Sequence, residues 1–378
     1  MIVLHGKYNH ARVMIDHIDA TTQNQIVNFL NHPVFSGSPI VIMPDCHSGK
    51  GAVIGFTMPL RQHVIPNVIG VDLGCGVYAY NLGKINIKFK HLDHFIRANI
   101  PSGHAIRTSD NSLIDSISTK LVSDLEMICS RIGEDLSYTI RSIGTLGGGN
   151  HYIELDRDKH DNVWLVLHSG SRHFGLAVAT YYQKKAKQLA IKMFLEKSIY
   201  NGLEFLPLDI GGNEYLADAR IAQIFADLNR ECMARVLLNG FFNQDIKYVK
   251  SIKSVHNYIG DDNIIRKGAI SAHDGEQVII PLNMRDGAII GIGKGIKAWN
   301  FSAPHGAGRN YSRKKAREKF TLDQFEKEMA NVWSSCVKTK TLDESPMAYK
   351  DASDILENIN ETVDVQEIIK PIYNFKAS

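Results

Sequence analysis

No stretch of this sequence approaches the ~20 consecutive apolar residues that a membrane-crossing helix needs. The N-terminal run MIVLHGKYNHARVMIDHID is broken throughout by histidines and charges, so it does not read as a secretory signal. A cytoplasmic protein is expected. Cysteine is scarce: five in 378 residues, an odd number without regular spacing, argue against a disulfide framework. Cys129, Cys232 and Cys336 fall in helix-like or mixed segments and are expected as packed thiols. An excess of one charge is also missing. With 43 basic and 40 acidic residues the net charge is +3, too small to signal a nucleic-acid partner by itself. The basic runs SRKKAREK (312–319) and KKAKQ (184–188) read first as solvated helix faces. No internal repeat, low-complexity tract or Pro/Ser-rich linker interrupts the chain, so one large domain over residues 1–378 is expected.

What is present is a series of short apolar runs that end in polar, Gly-rich loops: PIVIMPD (39–45), NVIGVDLGCG (67–76) and VWLVLHSGSR (163–172). Each reads as a buried strand that delivers a loop at its end. Helical patterns run from about Leu176 to Leu195, Leu216 to Leu238, Ser312 to Lys319 and Leu322 to Val332. Strands and helices are interspersed without a βαβ rhythm, so the expected fold is mixed α/β (α+β) rather than a doubly wound sheet.

The sequence has sixteen histidines. His5, His10, His17, His91, His94 and His160 lie among polar neighbours and read as surface residues. Others stand beside glycine in loops that also carry Asp, Cys or Asn. Asp72 and Cys75 lie three apart in VDLGCG. His151 follows GGGN, His168 ends an apolar run, and His256 precedes Asn257. Any one of these is more often a hydrogen-bonded structural residue than a ligand. Together, one carboxylate, one thiol and three imidazoles make a plausible shell for transition metals of borderline softness such as Zn, Mn or Fe. Five ligands exceed the needs of one tetrahedral zinc and suit two ions that share Cys75. In SAPHGAGRNYSR (302–313), His305 precedes two glycines and two arginines. Arg309 and Arg313, four apart, would share a helix face if the helix began near Asn310. Arginine forks over a Gly-rich turn suit a phosphate, and the imidazole beside them could serve as metal ligand, acid/base or nucleophile. The plainer alternative is a capped helix start with surface arginines.

The motifs MPDCHSGKG (43–51), GVDLGCG (70–76), LGGGNHYIE (146–154), HSGSR (168–172), HN (256–257), RKGAI (266–270), SAPHGAGR (302–309) and DESPMAYKD (343–351) resemble the RtcB family, in that family's order, from about residue 39 to the C-terminus. The resemblance implies an RNA ligase that uses GTP and two Mn²⁺ ions, with a fold distinct from that of ATP-dependent ligases and a central dinuclear metal pocket. It would join RNA 3′-phosphate or 2′,3′-cyclic phosphate ends to 5′-hydroxyl ends. Asp72, Cys75 and His151 match the ligands of one metal, and Cys75, His168 and His256 those of the other. His305 matches the histidine that becomes linked to GMP. Asn150, Glu154, Ala307, Gly308, Tyr349 and Lys376 match positions around the guanosine nucleotide. Arg172, Arg309 and Arg313 match arginines that hold RNA phosphates, and Asp45 matches an acid needed for function, without an assigned role.

Three features depart from the family pattern. The loop 281–287, PLNMRDG, replaces a common Pro-Gly-Ser-Met-Gly, which leaves nucleotide contacts from this loop open. Lys50 stands where an aromatic is frequent, and the chain is shorter than the tRNA-splicing members. These departures suggest a divergent bacterial paralogue used in RNA repair. A metal-dependent phosphatase or phosphodiesterase acting on RNA ends without nucleotidylation is the alternative; an inactive RNA-end binding module is a third. An activating protein partner and the oligomeric state are left open.

Overall fold

The computed structural model describes residues 1–109, 117–193, 195, 200 and 202–377. Two sheets carry the architecture. The first runs in the order Ile2–His5, His10–Val13, Ile40–His47, Ile54–Pro59, Ile264–Lys267, Asn257–Ile259. Its His10–Val13 and Ile40–His47 strands pair in parallel; its other pairs are antiparallel. The second sheet is antiparallel and runs Ser251–Val255, Gly76–Gly83, Val163–Ser169, Tyr152–Arg157, Val363–Lys376, Gly287–Gly293, Gln277–Asn283. Mixed α/β is therefore the observed class.

The Val163–Ser169 strand explains its own unbroken apolar run. It is buried along its whole length because both sheet faces are covered. Val163, Leu165 and Leu167 join Leu155, Met233 and Leu237 on one face. Trp164 and Val166 join Tyr152, Ile279 and Ile290 on the other. Each fully buried Leu or Val contributes about 1.5–3 kcal/mol relative to exposure. His168 continues the second alternation and so points the same way as Trp164 and Val166. The helices Arg172–Lys192 and Asn213–Gly240 pack together, and Phe174, Val178, Tyr182 and Phe225 bury against Ile42 and Phe56 of the first sheet.

Several expected spans shift. The first long helix begins four residues earlier than read and ends at Lys192; residue 194 of the expected span lies outside the described residues. The second extends over Asn213–Gly240. The third begins at Arg313, with Ser312 as its N-cap, and the fourth stops at Glu328 instead of Val332. The larger correction concerns 67–76. Rather than a strand leading into the Asp72–Cys75 loop, Pro66–Ile69 forms a one-turn helix and the strand Gly76–Gly83 follows the loop. Pro66 pre-sets the first helical φ, and a short apolar run is equally compatible with a buried turn of helix.

All five cysteines are free and buried. His5, His10, His17, His91, His94 and His160 are exposed. Among the described residues, no helix is long and apolar enough to cross a membrane.

Candidate metal centre and nucleotide pocket

Sheet register gathers the candidate ligands. In the second sheet Gly76 pairs with both Ser169 and Val255, and His168 pairs with Tyr152. Cys75 immediately precedes Gly76, His151 precedes Tyr152, and His256 follows Val255. The four side chains therefore meet at one end of neighbouring strands. His256 is also the residue at which the chain leaves the second sheet for the first, between Val255 and Asn257.

Cys75 Sγ lies 3.3 Å from His168 Nε2 and 3.6 Å from His151 Nε2. His168 Nε2 and His256 Nε2 face one another at 3.3 Å, and His151 Nε2 is 3.0 Å from Asp72 Oδ2. Two groups of donor atoms result, Cys75–His168–His256 and Asp72–Cys75–His151, each with its members within 4.8 Å of one another. Cys75, His151, His168 and His256 are buried. Burial, then the neighbouring histidines, hold His168 well below the usual imidazole range. Burial, then His305, does the same to His256. These rings thus offer lone pairs instead of charge. Burial, then the Asp72 charge, raises the Cys75 thiol well above its ordinary value, so ionising it calls for a nearby cation. Burial is the largest influence on Asp72 and works upward, but the hydrogen bond and charge of His151, the Cys75 thiol and the Arg172 charge together outweigh it and leave the carboxyl at about 2. A set of N, S and O donors that is deficient in positive charge fits a borderline divalent metal.

The ligand loops are braced from behind. Asn229 and Arg230, in the middle of the Asn213–Gly240 helix, are fully buried. Arg230 donates to the Gly74 carbonyl at 2.6 Å and the Ser169 carbonyl at 2.7 Å. Asn229 donates to Ser169 Oγ at 3.1 Å and the Gly170 carbonyl at 3.0 Å, and accepts from Thr145 N. Ser169 Oγ donates to the Leu146 carbonyl, which also bonds His151 Nδ1 at 2.9 Å. That bond turns Nε2 of His151 toward Asp72 and Cys75. Gly170 is required where it stands, since a Cβ there would run into the Asp72 carboxylate.

His305 follows the short strand Ser302–Pro304, which pairs with Ala269–Ser271. Its ring centroid lies 4.8 Å from that of His256. Nδ1 is 2.5 Å from Asp45 Oδ2, which also accepts the His305 backbone N–H at 3.2 Å. Asp45 is fully buried, and its Oδ1 lacks a hydrogen-bond partner among the described residues. Gly308, at φ +76°, lets the chain pass over the Asp45 carbonyl, where a Cβ would collide.

A cavity of about 370 Å³ joins these elements. Asp72, Cys75, His168 and His256 line it beside His305, Ala307 and Gly308, and Asn150, Glu154, Tyr349 and Lys376 also line it. Arg309 and Arg313 reach the same cavity, although Arg309 lies before the helix that carries Arg313, so the shared helix face does not exist. They meet instead at Glu344, at 3.3 and 3.0 Å. Arg172 is turned away: its guanidinium donates to Thr145 Oγ1 and the Gly103 carbonyl. The 281–287 loop contributes Pro281, Leu282, Asn283 and Met284 to the lining.

Two groups of residues were not singled out by sequence. Glu344 is buried and binds Arg309, Arg313, Lys376 at 3.2 Å and Tyr349 Oη at 2.6 Å. Burial pushes its carboxyl up, yet the Lys376, Arg313 and Arg309 charges prevail and hold it at about 2. The motif DESPMAYKD contained it, but nothing distinguished it from a surface acid. Asn229 and Arg230 left a fainter mark. They occupy core positions of a helix whose other inward residues include Ala222, Ala226, Met233 and Leu237, and polar residues at such positions need buried partners.

A family model described as tRNA-splicing ligase RtcB matches residues 25–138 and 131–377. Among curated proteins, the chain is 31% identical over 399 residues to RNA-splicing ligase RtcB1 of Escherichia coli ATCC 25922, covering 95% of each chain. It is 30% identical, with the same coverage, to RNA-splicing ligase RtcB of Escherichia coli K12. It is 26% identical to tRNA-splicing ligase RtcB of Aeropyrum pernix, over 84% of this chain and 83% of that one.

Proposed function

Because the chain belongs to the RtcB family, we propose that it is an RNA ligase that uses GTP to join a 3′-phosphate RNA end to a 5′-hydroxyl end through a His305–GMP intermediate. The observation that carries this reading is the Asp45–His305 pair set against the Cys75–His168–His256 cluster in one cavity.

Asp72, Cys75 and His151 would hold one Mn²⁺, and Cys75, His168 and His256 would hold a second, Cys75 belonging to both donor groups. When bound, such ions supply positive charge against the phosphates of the nucleotide. Asp45 accepts the Nδ1 proton of His305 and so fixes the tautomer whose Nε2 carries a free lone pair. Nε2 attacks the α-phosphorus of GTP; an N–P bond forms as the bond to pyrophosphate breaks, and pyrophosphate leaves with the electron pair. A 3′-phosphate oxygen of the RNA then attacks the same phosphorus, and His305 regains its lone pair. The 5′-hydroxyl attacks the RNA phosphorus, its proton passes to solvent, GMP departs and the strand is sealed. A 2′,3′-cyclic phosphate is first opened by water to the 3′-phosphate.

Asn150, Glu154, Ala307, Gly308, Tyr349 and Lys376 surround the nucleotide. Arg309 and Arg313, oriented by Glu344, engage phosphates. Arg172 acts indirectly by bracing the loop of Thr145. We assign the activity to RNA repair, in keeping with the departures at Lys50 and 281–287.

Incubation with α-labelled GTP and Mn²⁺, followed by denaturation, tests the reading. A label that stays on the protein, and is missing from His305→Ala, is expected. Metal-loaded protein that carries no label but releases phosphate from RNA ends would support the phosphatase alternative instead.

A further inference from the structure

Beneath the cavity lies an acid that the chemistry above leaves unused. Asp156 is fully buried, and among the described residues neither carboxyl oxygen has a hydrogen-bond donor. It stands two residues beyond Glu154 on the Tyr152–Arg157 strand, so both side chains turn to the same sheet face. Its cross-strand neighbours are Trp164 and Pro371. Proline has no N–H, and the Trp164 indole donates to Asp158 at 3.1 Å. Among the described residues, the side chain paired with Asp156 by a hydrogen bond is that of Glu154. Glu154 is itself buried, lines the cavity, and accepts from Asn374 Nδ2 at 2.5 Å.

Two carboxylates in this layer cannot both be charged. Like charges within hydrogen-bonding reach of one another repel strongly in a medium this poor in water, and each also loses its solvation. A proton must lie between them. Burial, then the Glu154 charge, drives Asp156 well above the carboxylate range. Burial lifts Glu154 to about 7, against the hydrogen bonds from Asn374 and Asp156 and the Lys376 charge. The other groups facing the pair are Lys370, from the same strand as Lys376, and the phenol of Tyr152. Lys376 is engaged by Glu344.

We propose that Asp156 is a positioning acid for base recognition: it stays protonated, donates to Glu154, and keeps Glu154 an anionic acceptor toward the cavity. The matching ligand edge carries adjacent N–H donors, as guanine does at N1 and N2; adenine, with an acceptor at N1, would be repelled. The proposal rests on the nucleotide reading of the cavity.

Two variants separate the possibilities. Asp156→Asn keeps a donor without an ionisable proton, whereas Asp156→Leu removes the donor and excludes water. GTP affinity is measured against pH for each. Asp156→Asn is expected to bind within about twofold of the parent, with the same acid midpoint. Asp156→Leu is expected to bind about tenfold or more weakly, with the midpoint moved to higher pH, since a hydrogen bond to a charged group is lost. An Asp156→Asn midpoint shifted to lower pH would mean that Asp156 carries charge, and an unchanged Asp156→Leu profile would mean that it does not matter; either result overturns the proposal. Infrared spectroscopy gives a readout that needs no nucleotide and no Leu variant. At about pH 8 the parent should show a neutral-carboxyl C=O stretch that Asp156→Asn lacks. Identical spectra would overturn the proposal, whereas a clear difference without GTP binding would sink the nucleotide reading and leave the buried proton standing.

Discussion

Asp45 and His305 form a pair in which one residue sets the chemistry of the other. Asp45→Asn would present an amide to Nδ1 and favour the opposite tautomer, so self-guanylation should fall by about 100-fold or more. Single-turnover labelling measures this, and a rate within threefold of the parent would remove the tautomer role. Cys75→Ala should lose both proposed ions, because Cys75 belongs to both groups of donor atoms, whereas His305→Ala should retain them. Metal analysis of the purified variants decides, and two ions retained in Cys75→Ala would end the bridging assignment. At this scale much could be read in advance. Asp72, Cys75, His151 and His168 stood in Gly-containing loops and His256 before an asparagine, and together their types suggested a metal. Asp45 stood in a legible motif, but its task depends on a contact 260 residues away in sequence, which no local pattern encodes. Arg172, an arginine beside a Gly-Ser loop, read as a phosphate holder; in the fold its guanidinium donates to the Thr145 hydroxyl and the Gly103 carbonyl, contacts that no local pattern encodes.

The Asn213–Gly240 helix does more at the scale of elements than its apolar stripe suggests. Replacing Arg230 by Met would leave the Gly74 and Ser169 carbonyls unmet in the interior. A loss on the order of 3 kcal/mol is expected, along with weaker Mn²⁺ binding. Urea unfolding of the metal-free protein and metal titration of the folded variant measure the two effects separately; unchanged metal affinity would make the bracing purely structural. The long helices were legible from their periodicity, with ends that moved by a few residues. The segment 67–76 was not, since an apolar run there is imposed by burial on all sides and carries no period that separates one helical turn from a strand. Antiparallel pairing brought Cys75, His151 and His256 alongside His168, and register of this kind is written in long-range pairing instead of any single segment.

For the whole molecule, stability should depend on both metal and acid. Saturating Mn²⁺ at about 100 times its dissociation constant should add about 2.7 kcal/mol per ion, or about 5 kcal/mol for the two proposed ions, to the parent and nothing to Cys75→Ala. Thermal melts with and without metal read this directly. His32 supplies one part of the pH dependence. Its ring is fully buried, bonds the Leu203 carbonyl at 3.1 Å, and is pushed by burial from 6.5 down to about 4. Between these values the unfolded chain binds a proton that the folded chain refuses, so stability is full above about pH 6.5 and falls as pH drops through 4. The loss is on the order of 3 kcal/mol. Denaturation at neutral and acid pH should show a shallower fall for His32→Gln, and equal slopes would clear His32 of the effect.

His256, the residue that closes one sheet and opens the other, gives assembly a checkpoint. A slip of one residue in either sheet's pairing would displace its imidazole by about 3.3 Å, whereas metal–ligand distances tolerate only about 0.2 Å. Chains with either sheet misaligned could therefore never be charged with metal, and the cluster would proofread the fold that builds it.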